Sequence, residues 1–135
     1  MAMQLQKAVL DAGIVTRDLE RAARFYGEVL GLPAAGEIAI PGIGLVRRYA
    51  VGESTLRIFM PETLPVEQEH GDGFASRTGI RYLTLAIANL EQTVAAVAAA
   101  GFGVPMAPKQ LRPGVRAAQI QDGDGNTLEL MQHDA

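Results

Sequence analysis

The sequence predicts an α+β fold built from two copies of one βαβββ module, and three recurrences carry that prediction. Ile14-Val15-Thr16-Arg17-Asp18-Leu19-Glu20 and Leu85-Ala86-Ile87-Ala88-Asn89-Leu90-Glu91 each pass from an apolar strand into a helix start, with Asp18 and Asn89 71 positions apart. Gly31 and Gly101, 70 apart, stop the two helices. Thr55-Leu56-Arg57-Ile58 and Thr127-Leu128-Glu129-Leu130, 72 apart, each follow a glycine-bearing turn. A repeat at a nearly constant spacing, 70 to 72 positions, fixes architecture before any single element is trusted.

The elements follow in order. A strand over 8–15 leads to Asp18, whose side-chain oxygen suits the orphan amides of a first helical turn. Leu19, Ala22, Ala23, Tyr26, Val29 and Leu30 then recur at helical spacing until Gly31 and Pro33. Strands over 34–40, 45–51 and 54–60 complete the first copy, the last two joined at Gly52-Glu53-Ser54. The segment 62–78, with Pro65, Gly71 and Gly73, reads as a linker. The second copy has a strand over 79–87, an N-cap at Asn89, a helix marked by Leu90, Val94, Val97 and Ala98, and strands over 103–107, 115–121 and 126–132. The expected organisation is one domain, 1–135, with module one at 7–61, the linker at 62–78 and module two at 79–133.

Composition narrows the function classes. At 135 residues and 48% hydrophobic content the chain suits a single domain with a proper core. Twelve basic against fifteen acidic side chains, with no basic stripe, argue against a nucleic-acid partner. No cysteine is present, which excludes disulfides, thiolate metal sites and cysteine nucleophiles. Residues 1–7 lack a signal-peptide pattern, and no apolar run approaches the roughly 20 residues that span a bilayer. The expectation is a cytoplasmic protein with no membrane partner.

Strand parity sorts the side chains by face. If Leu10, Ala12 and Ile14 lie under a helix, Val9, Asp11, Gly13 and Val15 face the other way. Leu83, Leu85 and Ile87 likewise leave Ile80, Tyr82, Thr84 and Ala86 opposite. Leu56 and Ile58 turn Arg57 and Phe59 outward, and Leu128 and Leu130 do the same for Glu129 and Met131. Asp11, Arg57, Tyr82 and Glu129 therefore belong to the open faces.

The run from Leu10 to Tyr26, closing with Val29-Leu30-Gly31-Leu32, resembles the start of the vicinal oxygen chelate superfamily, which holds glyoxalase I, bleomycin-resistance proteins and extradiol dioxygenases. The ending Gln121-Asp122-Gly123-Asp124-Gly125-Asn126-Thr127-Leu128-Glu129 is similar to that family's closing hairpin, where Asp-Pro-Asp-Gly-Asn is usual. The resemblance implies a curved, cup-shaped mixed sheet, a homodimer, and a metal held by the first and last strand of each module. Those positions here are Asp11, Arg57, Tyr82 and Glu129, of which Glu129 alone is a standard match. A guanidinium cannot ligate. Held ~4 Å from a divalent ion it would repel it by roughly 8 kcal/mol at an effective dielectric of about 20. No cofactor is therefore favoured, with a divalent metal (Zn, Ni, Mn or Fe) as the alternative, and Arg57 is expected to replace the metal's charge by pairing with Asp11, Glu129 or both.

The resemblance then implies a glyoxalase-like lyase, isomerase or epimerase acting on a small oxygenated, anionic molecule. Glu129 would be the general base, aided by Tyr82 or Asp11, with Arg57 stabilising an anionic oxygen. Arg48, Gln119, Phe59 and Met131 are the further candidates for ligand contact, although parity alone leaves Arg47 as an alternative to Arg48. The competing function is a binding protein of the bleomycin-resistance type, which 5% aromatic content and no tryptophan weaken. An extradiol dioxygenase would need two histidines and a carboxylate, and His70 and His133 lie outside the family positions and read as surface residues. Phe25 and Tyr26 read as helix packing.

Overall fold

The alternating and helical patterns resolve into eight strands and two helices over the described residues, 1–69, 71 and 73–134, of a computed structural model. The elements are β1 (Ala12–Val15), α1 (Leu19–Ala23) continued by a π-helical segment (Arg24–Val29), β2 (Ala34–Ile40), β3 (Gly44–Val51) and β4 (Ser54–Pro61). After them come β5 (Tyr82–Ala86), α2 (Leu90–Ala99), β6 (Gly103–Arg112), β7 (Val115–Gln121) and β8 (Thr127–His133). They form two four-stranded mixed sheets of identical order, β1-β4-β3-β2 and β5-β8-β7-β6. In each sheet the outer pair, β1 with β4 and β5 with β8, is parallel and the other pairs are antiparallel. The α+β class and its duplication are thus as the sequence predicts.

The chain divides into two compact units, Met1–Leu19 with Leu32–Pro65, and Glu20–Gly31 with the chain from Val66 onward. In the first unit Tyr49, Leu56 and Ile58 form the buried face of the sheet. Thr16 closes β1: its amide donates to the Phe59 carbonyl and its hydroxyl accepts from the Asp18 amide at 3.1 Å. The expectation that Leu10 is covered fails. Leu10 is 90% exposed because the ladder to β4 begins only at Ala12, so Leu10 precedes any pleated surface that could be packed upon.

The second unit contains both helices' buried sides. Residues 20–31, which the repeat assigns to the first copy, pack here because their partners are here. Phe25 meets Tyr26 and Phe102 edge-on, with ring centroids 4.8 and 4.9 Å apart, and Arg24 lies over Phe102. Tyr26 donates its phenol to Asp122 Oδ2 at 2.6 Å, and Arg21 pairs with Asp124 at 2.9 Å. Asp122 is the hub of its turn, accepting also from the amides of Asp124 and Asn126 and from the Asn126 side chain. Burial and the Asp122 charge push the Tyr26 phenol well above its ordinary range, so it remains a donor. Phe25 and Tyr26 are adjacent and both fully buried. The helical segment that carries them is π-helical.

On α2, Leu90, Val94 and Val97 are buried as expected, whereas Ala98 is exposed. Asn89 makes no capping bond: its side chain binds Gln92 and Thr93, and Gln132 Oε1 from β8 accepts the Leu90 amide at 2.8 Å instead. A distant strand has taken the role a local motif announced. Gly31 and Gly101, with φ of 74° and 88°, adopt the left-handed conformation that ends each helix. Among the described residues no helix is long and apolar enough to cross a membrane.

Candidate functional site

Each sheet presents one face away from its buried core, and the residues singled out by parity lie on these open faces. In the first unit, Asp11 stands one residue ahead of β1, opposite Thr55. Its Oδ1 accepts the Thr55 amide at 2.7 Å and its Oδ2 accepts Arg57 Nη1 at 3.2 Å. The Thr55 hydrogen bond is the largest influence on the Asp11 carboxyl and, with the help of Arg57, holds it below its ordinary value against the opposing desolvation. Arg57 is itself opposite Gly13 on one side and Arg48 on the other. Residues opposite one another across a ladder share a face, so the register assigns Arg48 to the face of Arg57. Arg47 sits opposite the fully buried Ile58 and pairs with Glu37 at 2.9 Å, which removes it from that face.

One rung further along the same face, Phe59 lies between Val15 and Val46, and Ile38 follows on β2. This half of the face is apolar.

In the second unit, Glu129 lies between Thr84 and Gln119 in the ladder. The Thr84 hydroxyl donates to Glu129 Oε1 at 3.1 Å. Tyr82, two residues before Thr84 on the same face, is 49% exposed, and its ring meets Phe74 edge-on at 5.3 Å. Met131 follows Glu129 on the same face, opposite Ala86 and Ala117. Within this unit a carboxylate, a phenol, a primary amide and a hydroxyl share one surface, which is enough to move a proton and to donate to an oxyanion.

The candidates therefore fall into two sets, Asp11 with Arg57, Arg48 and Phe59, and Glu129 with Tyr82, Gln119 and Met131. Of the acids offered to Arg57, Asp11 is its described partner. Sequence reasoning missed what anchors these groups: the Thr55 amide, the Thr84 hydroxyl and the Phe74 ring. Thr84 was legible as a member of the open face, whereas its pairing with Glu129 depends on the β5–β8 register. His133 is exposed at the end of β8, and His70 lies outside the described residues.

The donor set does not fit a divalent ion. Arg57 occupies one family position as a cation with no lone pair, and both Asp11 oxygens are committed, one to Thr55 and one to Arg57. Among the described residues no group of three or more His, Asp or Glu side chains is gathered as a metal site would require.

Comparison with known proteins gives a consistent outcome. The model of the Glyoxalase/Bleomycin resistance protein/Dioxygenase superfamily matches residues 8–130. Among solved structures, a glyoxalase family protein from Bacillus cereus superposes with a TM-score of 0.85 at 17% identity, covering 100% of this chain and 99% of that one. The trypanothione-dependent glyoxalase I of Leishmania major gives 0.72 at 17% identity, covering 94% and 87%. The fosfomycin resistance protein FosX of Mesorhizobium loti gives 0.67 at 16%, covering 97% and 94%. At these identities the likeness is one of fold. No curated protein matches the sequence significantly.

Proposed function

The chain belongs to the Glyoxalase/Bleomycin resistance protein/Dioxygenase superfamily, and from that premise we propose that it binds a small oxygenated anion and is a lyase or isomerase that works without the family's metal. The observation that carries the proposal is Glu129 on the open face of the second sheet, held by the Thr84 hydroxyl at 3.1 Å and flanked by Gln119.

Glu129 is the general base. Its carboxylate takes the proton from a carbon next to the ligand's carbonyl. The C–H electron pair becomes the C=C bond of an enolate, and the carbonyl π pair moves onto oxygen. Tyr82 and Gln119 are the donors on the same face that can meet that oxygen, and return of a proton to the opposite face of that carbon, as the oxygen's pair re-forms the carbonyl, completes a racemisation or epimerisation. On the first sheet Arg57 supplies positive charge where relatives use a metal ligand, and Asp11 positions it. Arg48, Phe59 and Met131 serve ligand contact. A homodimer, by family resemblance, and a cytoplasmic location complete the proposal.

Solvent deuterium exchange followed by proton NMR tests it. A panel of 2-oxo acids in D2O should include one that loses its C3 proton signal with the protein, and Glu129→Gln should slow that exchange by roughly 10²-fold or more while the far-UV spectrum stays native. Binding without exchange in the wild type would assign the chain to the non-catalytic, bleomycin-resistance-like alternative. Equal exchange in Glu129→Gln would remove Glu129 from the reaction.

A further inference from the structure

The open face of the first sheet holds two guanidiniums with unequal surroundings. Arg57 is half-exposed and already paired with Asp11. Arg48, directly opposite it, is partly buried and has no acid partner among the described residues, and its buried Nε lacks a hydrogen-bond acceptor. Like charges facing each other across a ladder are unfavourable. Two guanidiniums and one carboxylate leave the row with one net positive charge.

Arg48 is nevertheless given room. It lies over Gly36 at the irregularity in the β2–β3 pairing, where a Cβ would come within 2.9 Å of its Nη2. Gly36 has a φ of 108°, which a side chain would make costly. The strand is thus shaped to seat a guanidinium that no acid among the described residues neutralises.

The next rung of the same face is apolar, running from Val15 through Phe59 and Val46 to Ile38. Val15 and Ile38 are 52% and 44% exposed, an unusual solvent exposure for β-branched residues on one continuous strip. Two residues along a strand separate the charged rung from the apolar one by about 7 Å, the reach of an extended chain of roughly six carbons.

We propose that Arg48 is the anion anchor and that the ligand is an amphipathic monocarboxylate whose apolar arm lies along Val15, Phe59, Val46 and Ile38. One net positive charge suits a monoanion better than a dianion. Arg57, committed to Asp11, tunes the field and is not the primary contact. The inference rests on the proposed function in taking the ligand to be a small oxygenated anion.

Isothermal titration calorimetry with straight-chain 2-oxo acids of four, six and eight carbons, their neutral amides, and a hexylphosphonate tests it. For the wild type, affinity should rise about tenfold from four to six carbons and change little beyond, and each acid should bind at least tenfold tighter than its amide. Arg48→Gln should abolish the preference for acid over amide, and Arg48→Lys should restore part of it. Ile38→Ser should flatten the chain-length gain and leave that preference intact. Arg47→Gln, on the other face, should match the wild type. Thermal melts confirm that each variant is folded. If Arg48→Gln keeps the preference, Arg48 is not the anchor, while the proposed function stands. If the phosphonate, titrated above its second pKa where it is a dianion, binds more tightly than the acid, the ligand is not a monoanion. If the wild type binds none of these compounds, this inference and the proposed function both fall.

Discussion

Removing the Tyr26 hydroxyl should destabilise the protein measurably, because that group links the helix of residues 20–31 to the turn at 122–126. The perturbation is Tyr26→Phe, which keeps the ring contacts with Phe25 and deletes a 2.6 Å hydrogen bond to a buried carboxylate. Hydrogen bonds to charged groups contribute about 1.5–3 kcal/mol. Asp122 keeps three other donors in its own turn, so the carboxylate is not stranded and the lower half of that range, about 1.5–2 kcal/mol, is expected. With an unfolding entropy of about 2.1 cal/mol/K per residue, 135 residues correspond to about 3.5 °C of Tm per kcal/mol, hence a loss of about 5–7 °C. Calorimetry and urea titration would read it. A double-mutant cycle with Asp122→Asn should show a coupling of about 1–2 kcal/mol. The pH dependence has a definite sign. The folded-state pKa of Tyr26 is raised above the ordinary 10.0, so its contribution is fully present below about pH 10 and is lost as pH rises toward the folded-state value. The gap between wild type and Tyr26→Phe should therefore shrink above pH 10. A cost under about 0.5 kcal/mol, or strict additivity with Asp122→Asn, would refute the assignment of this bond as the link.

Other outcomes follow from the corrected contacts. Asp11 has a lowered pKa, chiefly through the Thr55 amide, so its contribution is present above pH 3.8 and is lost as pH falls through the folded-state value; stability curves of wild type and Asp11→Asn, measured by urea titration, should converge progressively as pH falls below 3.8. Gln132→Ala should lower stability by about 1 kcal/mol through loss of the α2 cap, and Asn89→Ala by less, as thermal melts would show. Gly36→Ala should both destabilise by about 1 kcal/mol or more, from the left-handed backbone, and weaken carboxylate binding by displacing Arg48, which the same calorimetric series measures.

Sequence periodicity alone determined the α+β class, the duplication and the order of elements, because a period of two and a period of 3.6 are local properties of the chain. It also placed Arg57 and Glu129 on open faces by parity with Leu56, Ile58, Leu128 and Leu130, and Tyr82 and Thr84 by parity with Leu83 and Leu85. Tertiary structure decided the rest. Whether Arg47 or Arg48 faces Arg57 depends on the β3–β4 register, which alternation within one strand cannot fix. Asn89 carried the signature of an N-cap, yet a glutamine 42 residues away reaches the Leu90 amide. The helix of the first repeat packs in the second unit because its aromatics and Arg21 find Phe102, Asp122 and Asp124 there, and such non-local partners leave no trace in spacing. Local pattern specifies what each segment becomes, and side-chain contacts between distant segments specify what it does.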